Sequence, residues 1–213
     1  MTEMADLYDA CLAEVETLAA GLTPEQLATV VPATPGWSVH QVLAHLAGSA
    51  ADAAAGRMDG APGEEWTARH VAEREGTAPA ALAAELRSTQ DAIAASTEDN
   101  PRPAFVWNIS VHLADLREAL GLPVLGPALW EPVLAAVAPY RLRDVPATLV
   151  AGDDRWGAGG AVVEVSRYEL YRALFSRRSR AQMAAWGSPG LDAGQLDDLP
   201  VFGPRDDDQP QPG

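Results

Sequence analysis

The chain of 213 residues carries 30 Asp and Glu against 15 Lys and Arg, which gives a formal net charge of -15 and a pI of about 4.5. Its length allows one large domain or two small ones, and its 47% of hydrophobic residues is ordinary for a globular protein. Because phosphate groups repel so acidic a protein, the charge argues against nucleic acid and against anionic membrane surfaces as partners.

Cysteine content and the N-terminal segment bear on the compartment of the protein. The one cysteine, Cys11, excludes an internal disulfide and a thiolate-rich metal site, and we expect it to be a core residue. No apolar run approaches the ~20 residues that a membrane helix needs. The first residues, MTEMADLYDA, lack the basic and apolar regions of a signal peptide. We therefore expect a cytoplasmic protein without a membrane span.

A helical pattern of apolar residues covers most of the first 120 positions. It predicts four long amphipathic helices, at 3–20, at about 39–55, from 79 to about 96, and at 107–121. Ser38 and Gln41 form a capping box at the start of the second helix, whereas residues 56–76 are predicted to be a loose connection rich in glycine and charge. Four such helices in so short a stretch predict a four-helix bundle.

The pattern changes after residue 121. A short helix is predicted at 130–138, and the β-branched runs PATLVAG and AVVEVS predict two strands separated by the turn-rich DDRWGAGG. Ser166 and Glu169 open a further helix, and RSRAQMAAW is a helical stretch that ends at Gly187. We predict a helical domain over 1–124, a small α+β domain over 125–203 and a disordered tail over 204–213. The fold class is thus α+β, mainly α.

Polar side chains line the inner edge of two of the predicted bundle helices. Asn108, His112 and Asp115 have the spacing i, i+4, i+7, which places them on one helix face beside an apolar stripe. His45 has the same position beside the apolar stripe of the second helix. Two such helices can present both rings to one point, and His45, Asn108 and His112 would form a three-ligand metal site with an open position. Spacing alone favours the plainer interpretation, in which each histidine is a hydrogen-bonded residue at the core edge.

Two further groups of polar residues allow two interpretations each. Asp115 is either an acceptor behind His112 or a solvated charge. The basic segment FSRRSR, 175–180, either binds a carboxylate substrate or complements the dipole at a helix C-terminus. The chain has no phosphate loop, Rossmann fingerprint, nucleophile elbow or CxxC motif.

Three segments resemble, in order, the characteristic segments of the mycothiol-dependent maleylpyruvate isomerase family. They are PGWSVHQVLAHLAG, VHLADLREALGLP and LYRALFSRRSRAQMAAWG, and the resemblance extends from residue 5 to about 204. The family belongs to the DinB-like group of metal-binding four-helix bundles. The resemblance implies a DinB-like bundle followed by a small α+β domain, a divalent metal that is usually zinc, and mycothiol, a small thiol of actinobacteria.

The resemblance also implies which residues hold the metal and the substrate. The family ligands are the histidine of the AHLAG-like motif and a Glu-x-x-x-His pair, which correspond to His45, position 108 and His112. This chain has Asn108 where the family has glutamate, and an amide oxygen brings a dipole in place of a negative charge, so we expect weaker metal binding. An arginine of the small domain helps to hold the acidic substrate in the family, and Arg177 is its best match, after Ser176 where glycine is usual.

The sequence leaves more than one function open. The first hypothesis is a metal-dependent isomerase or S-transferase, in which the thiolate of mycothiol adds to a small electrophilic, anionic substrate and then leaves or remains attached. The alternative is a non-catalytic descendant that binds a small molecule or a partner and whose metal site is weakened by Asn108. A dimeric structural protein is a third option. The expected partners are a small thiol and its substrate, and the chain is expected to be a monomer or a homodimer.

Overall fold

The structure, a computed structural model, describes residues 2–186 and 191–211. It divides into two units, which meet in the sequence between Leu125 and Gly126. The first unit contains seven helices among its described residues: α1 (Glu3–Gly21), α2 (Pro24–Leu27), α3 (Val39–Ala55), α4 (Glu64–Glu73), α5 (Pro79–Arg87), α6 (Gln90–Ala95) and α7 (Ala104–Ala119). No helix of the described residues is long and apolar enough to cross a membrane.

Four helices of the first unit form a bundle. Helix α1 contacts α5 and α7, and α3 contacts the same two helices from the other side. The bundle core consists of aliphatic side chains from all four helices, among them Leu7, Leu12, Val15, Val42, Leu43, Leu46, Leu82, Leu86, Ile109, Leu113 and Leu116. The predicted fold class, mainly α with a four-helix bundle, is therefore confirmed.

Helix α3 begins and ends as its sequence predicts. The Ser38 hydroxyl accepts the backbone N–H of Gln41, and the Gln41 side chain accepts the backbone N–H of Ser38. Gly56 ends the helix in the left-handed conformation at φ 70°, which costs a residue without a Cβ atom little. These two caps fix the stretch of chain that presents His45.

Two parts of the first unit differ from the prediction. The third bundle helix is divided into α5 and α6, because the Ser88 and Thr89 hydroxyls donate to the carbonyls of Glu85 and Leu86, at 2.6 and 2.7 Å. The prediction of a loose connection over 56–76 is wrong, since this stretch contains α4, which packs on α3. Two acidic residues in the first turn of α4 complement its dipole.

The second unit, Gly126–Gln211, combines a small sheet with helices. Its elements are a 3-10 turn at Pro127–Leu129, α8 (Glu131–Arg141), β1 (Ala147–Ala151), β2 (Asp154–Trp156), β3 (Ala161–Glu164), α9 (Arg167–Leu174), α10 (Arg180–Ala184) and α11 (Ala193–Asp198). Strand β1 is central, antiparallel to β2 and parallel to β3. The two β-branched runs form β1 and β3, as predicted, whereas β2 and α11 were not predicted.

The predicted disordered tail is held in place over residues 204–211. The backbone N–H of Arg180 donates to the Arg205 carbonyl at 3.0 Å, and Ser179 Oγ donates to Asp208 Oδ1 at 2.5 Å. Gln182 Nε2 donates to the Gln209 carbonyl at 2.7 Å. The start of α10 therefore supplies hydrogen-bond partners that composition alone does not reveal. Residues 212–213 and the predicted helix end at Gly187 lie outside the described residues.

Candidate functional site

Helices α3 and α7 bring two histidines of the predicted site together. The ring centroids of His45 and His112 are 5.3 Å apart, with the ring planes at 76°. Both residues are buried, with 5% and 6% of their surface exposed. Two imidazole nitrogens at the zinc–nitrogen distance from one ion place their rings about 5 Å apart. The spacing of these two rings therefore suits a shared cation.

Asn108, the third residue of the predicted site, lies on α7 one turn before His112. Its side-chain Nδ2 donates a hydrogen bond to Ser49 Oγ of α3 at 3.4 Å. Because Nδ2 is used in this way, the side-chain oxygen is the atom of Asn108 that can bind a cation. It is a neutral ligand, which binds zinc more weakly than the carboxylate of a glutamate.

Asp115 lies directly behind His112. Its Oδ2 is 3.0 Å from Nδ1 of His112, and only 1% of its surface is exposed. The Asp115 carboxylate thus lies within ion-pair distance of the His112 ring and on the same side of α7. Of the two interpretations of Asp115, the structure favours the acceptor behind the histidine over the solvated charge.

Helix α4 adds two side chains that the sequence analysis did not place in the site. The His70 ring lies 5.6 Å from that of His45 and 4.1 Å from that of Trp66, measured between centroids. Trp37 approaches His45 from the start of α3, at 4.9 Å. The signal for α4 is the i, i+4 spacing of Trp66 and His70 in EEWTARHVAE, which puts both rings on one helix face.

A buried carboxylate connects α3 to α4. Asp52 has 1% of its surface exposed and accepts hydrogen bonds from Arg57 Nε at 2.9 Å, Arg69 Nη2 at 2.5 Å and His70 Nε2 at 3.0 Å. Burial is the largest single influence and opposes ionisation, but the donors together lower the pKa of Asp52 to about 2. The carboxylate is therefore ionised at neutral pH.

Burial keeps His70 a neutral imidazole beside this carboxylate. Burial lowers the pKa of His70 below its ordinary value, although the hydrogen bond and charge of Asp52 act in the opposite direction. With Asp52 ionised, His70 Nε2 carries the proton and donates it. Nδ1 then carries the lone pair, is buried, and has no hydrogen-bond partner among the described residues.

Arg177, the predicted substrate-binding residue, belongs to the second unit. It follows Ser176, which has a left-handed backbone with φ of 64°. Glycine adopts this conformation most easily, which agrees with the glycine that the resembled family has at this position. Arg177 is 7% exposed, and its Nη1 donates to the Phe175 carbonyl at 2.6 Å. The neighbouring Arg178 is fully buried and makes a bidentate pair with Glu169, at 2.6 and 2.7 Å. Arg178 therefore has a structural role in the basic segment.

The donor set meets only part of what a divalent metal requires. Among the described residues, no three His, Cys, Asp or Glu side chains already converge on one point as metal ligands. His45 and His112 suit a divalent ion by ring spacing, and the carboxylate of Asp115 lies 3.0 Å from Nδ1 of His112. The two histidines fit such an ion, and the third ligand is the weak part of the set.

Comparison with known proteins points to one family. Residues 8–125 match the family described as "Mycothiol maleylpyruvate isomerase N-terminal domain". The crystal structure of the mycothiol-dependent maleylpyruvate isomerase is similar with a TM-score of 0.55 and 15% identity, over 88% of this chain and 90% of that chain. A histidine-to-alanine mutant described under the same name gives a TM-score of 0.50 at 12% identity, with the same coverage. At these identities the likeness shows a common fold. No curated protein matches the chain significantly.

Proposed function

Because the chain belongs to the mycothiol maleylpyruvate isomerase N-terminal domain family, we propose that it is a thiol-dependent isomerase or S-transferase that uses mycothiol. Its substrate would be a small electrophile that carries a negative charge. The observation that supports this most is the buried pair His45 and His112, which meet at 5.3 Å from two bundle helices. A histidine pair at this spacing is an expensive arrangement for packing alone, because both rings lose water.

We propose His45, Asn108 and His112 as the residues that hold a divalent metal, with zinc the ion best suited to imidazole ligands. Such an ion would keep the thiol of mycothiol deprotonated near neutral pH. Asp115 lies 3.0 Å from Nδ1 of His112, on the side of the ring away from Nε2, which is the nitrogen proposed to bind the metal. Ser49 fixes the amide of Asn108, and Trp37 covers His45 at 4.9 Å.

Arg177 is proposed to bind the negative charge of the substrate. A guanidinium pairs with a carboxylate through two parallel hydrogen bonds, which a lysine cannot reproduce. One nitrogen of Arg177 is engaged by the Phe175 carbonyl, which fixes the orientation of the guanidinium. An Arg177→Lys variant keeps the charge and loses this planar geometry.

The proposal is tested with His45→Ala and His112→Ala beside a His40→Ala control. His40 lies on α3 like His45, but its Nε2 bonds the Thr77 carbonyl at 2.8 Å. We expect both site variants to lose bound zinc and mycothiol-dependent turnover of maleylpyruvate or a related electrophile, and the control to keep the metal. Unchanged metal content in both site variants would show that the site is assigned wrongly.

A non-catalytic binding protein is the second candidate, and Asn108 favours it. A site that has lost its anionic ligand can keep a shape that accepts a thiol or a small acid without turning it over. Calorimetry separates the two candidates. Binding of mycothiol to zinc-free protein, with the same affinity in His45→Ala, would support the binding protein and contradict the enzyme.

A further inference from the structure

The chain that follows α11 lies along the basic segment, within the second unit. The backbone N–H of Phe202 donates to Ser176 Oγ at 3.2 Å. Four residues farther along the basic segment, the backbone N–H of Arg180 donates to the Arg205 carbonyl at 3.0 Å. These hydrogen bonds hold both ends of the short stretch that carries Arg177.

Arg205 is bonded to the chain on each side of Arg177. Its side-chain Nη1 donates to the Ser176 carbonyl at 3.0 Å, and its own carbonyl accepts the N–H of Arg180. Asp207 fixes the guanidinium in turn, because it accepts hydrogen bonds from Nε at 3.0 Å and from Nη2 at 2.7 Å. Only 13% of the Arg205 side chain is exposed, so this residue is not a solvated surface charge.

Ser176 has a backbone conformation that needs such support. Its φ of 64° is unfavourable for a residue with a Cβ atom and persists only where the surroundings hold it. Its N–H donates to the Ala173 carbonyl at 3.0 Å, its Oγ accepts from Phe202, and its carbonyl accepts from Arg205. Ser176 turns the chain out of the end of α9, so its conformation sets the direction in which Arg177 begins.

Arg177 is in turn fixed by the turn at the end of α9. Its backbone N–H donates to the Arg172 carbonyl at 2.9 Å, and its Nη1 donates to the Phe175 carbonyl at 2.6 Å. A guanidinium that binds a carboxylate must aim parallel N–H groups at both oxygens. A displacement of about 1 Å is enough to weaken such a contact strongly.

We propose that Arg205 is a positioning residue for Arg177. It keeps Ser176 in the left-handed conformation and thereby aims the Arg177 guanidinium, without contacting the substrate itself. The inference rests on the proposed function, in which Arg177 binds the negative charge of the substrate. It gives a role to a residue of the C-terminal stretch that composition alone marks as a disordered tail.

The orientation of Arg177 is followed in the full chain by the NMR signal of its side-chain Nε–H group, identified by its loss in Arg177→Lys. Arg205→Ala removes the positioning side chain, and Asp207→Asn removes only the charge that fixes it. Arg143→Ala is the control, because 73% of the Arg143 side chain is exposed and it pairs with a neighbouring residue. Maleate, a small planar dicarboxylate, is titrated into each protein, and urea unfolding confirms that each is folded.

We expect Arg205→Ala to shift or broaden the Arg177 signal and to weaken maleate binding by about tenfold or more. Asp207→Asn should act in the same direction with a smaller effect, and Arg143→Ala should resemble the wild type. Adding Ser176→Gly to Arg205→Ala should restore part of the affinity, because glycine takes the left-handed conformation without support. A purely structural role of Arg205 in the C-terminal stretch would show no such recovery.

A folded Arg205→Ala protein with the Arg177 signal and the maleate affinity of the wild type would overturn the inference and leave the proposed function standing. If Arg205→Ala does not fold, the same result in Asp207→Asn overturns it. A wild-type Arg177 signal that does not respond to maleate would instead contradict Arg177 as the substrate-binding residue of the proposed function. That failure is visible without any change at Arg205.

Discussion

Gly48 lies one turn after His45 on α3, where a Cβ atom would come within 2.6–2.8 Å of His70 and Arg74. Glycine in a helix interior normally costs stability, by about 1 kcal/mol relative to alanine. This glycine is kept because α4 packs against α3 at this point, with His70 fully buried. Helix α4 can therefore approach the histidine pair because Gly48 has no Cβ atom.

We predict that Gly48→Ala lowers the free energy of unfolding by about 1–3 kcal/mol, because the new methyl group displaces His70 and the α4 backbone. Gly21→Ala is the control, since nothing lies within 4 Å of a Cβ atom at that position. The control should be neutral or slightly stabilising. Urea denaturation measures both variants. A Gly48→Ala protein as stable as the wild type would contradict the close packing described for α4.

The place of a single histidine in the fold could be predicted only where the apolar pattern of the sequence indicates a helix. His45 and His112 lie beside apolar stripes of 3.6-residue period, so their meeting at the bundle edge follows from the pattern. His70 lies in a segment with few apolar residues, and only Trp66 and His70 are buried in it. The i, i+4 spacing of Trp66 and His70 is a signal for this helix, but two buried rings are too few to establish a period, so the sequence alone does not place His70 beside His45.

At the level of elements, Asp52 fastens α4 to α3. A helix of ten residues is marginal by itself, and most of its stability must come from contacts with the rest of the unit. Asp52 receives hydrogen bonds from Arg69 and His70 of α4, and Arg74 extends the connection to Glu85 of α5 at 2.6 Å. The buried carboxylate thus joins elements that sequence patterns treat separately.

We predict that Asp52→Asn lowers the free energy of unfolding at pH 7 by about 2 kcal/mol. The loss is no larger because the Arg57 and Arg69 side chains are partly exposed, and solvent screens their attraction to Asp52. The pKa of Asp52 is about 2 in the folded chain, below its ordinary value. A lowered pKa contributes stability above about pH 4, and that contribution is lost as the pH falls to 2. The difference between wild type and variant should therefore shrink over this range.

Urea unfolding at a series of pH values measures the Asp52 effect. Asp144→Asn is the matched control, because Asp144 pairs with Arg143 at 3.0 Å on the surface with 80% of its side chain exposed. Its removal should have little effect at any pH. A constant difference between Asp52→Asn and wild type from pH 4 to pH 2 would contradict the ionised, paired state of Asp52.

The elements differ in how far the sequence predicts them. Capping boxes and apolar periodicity predicted α3, and the β-branched runs predicted β1 and β3. Strand β2 has three residues, Asp154–Trp156, inside a segment whose glycines and acids are typical of turns. Strand β2 forms because its backbone pairs with the edge of β1 that β3 does not cover. Such pairing is a tertiary contact, and it leaves no periodic pattern of apolar residues in the sequence.

At the scale of the whole molecule, the pattern of helices followed by strands predicted the change of architecture near residue 125. The family match over residues 8–125 coincides with the unit that carries the three buried histidines. The family match and the buried histidines therefore fall in the same unit of the chain. In the proposed site, metal binding depends on Asn108, because it offers an amide where an anionic ligand would bind a divalent ion more tightly.

Metal content of the purified, untagged chain decides whether the chain binds a metal as proposed. Elemental mass spectrometry is done on the wild type, on Asn108→Glu and on Asn100→Glu, a control with the same charge change at an exposed position. We predict close to one divalent ion per wild-type chain, held more tightly in Asn108→Glu and unchanged in Asn100→Glu. An empty wild-type chain beside a filled Asn108→Glu chain would contradict the proposal, because it would mean that His45, Asn108 and His112 do not hold a metal in this chain.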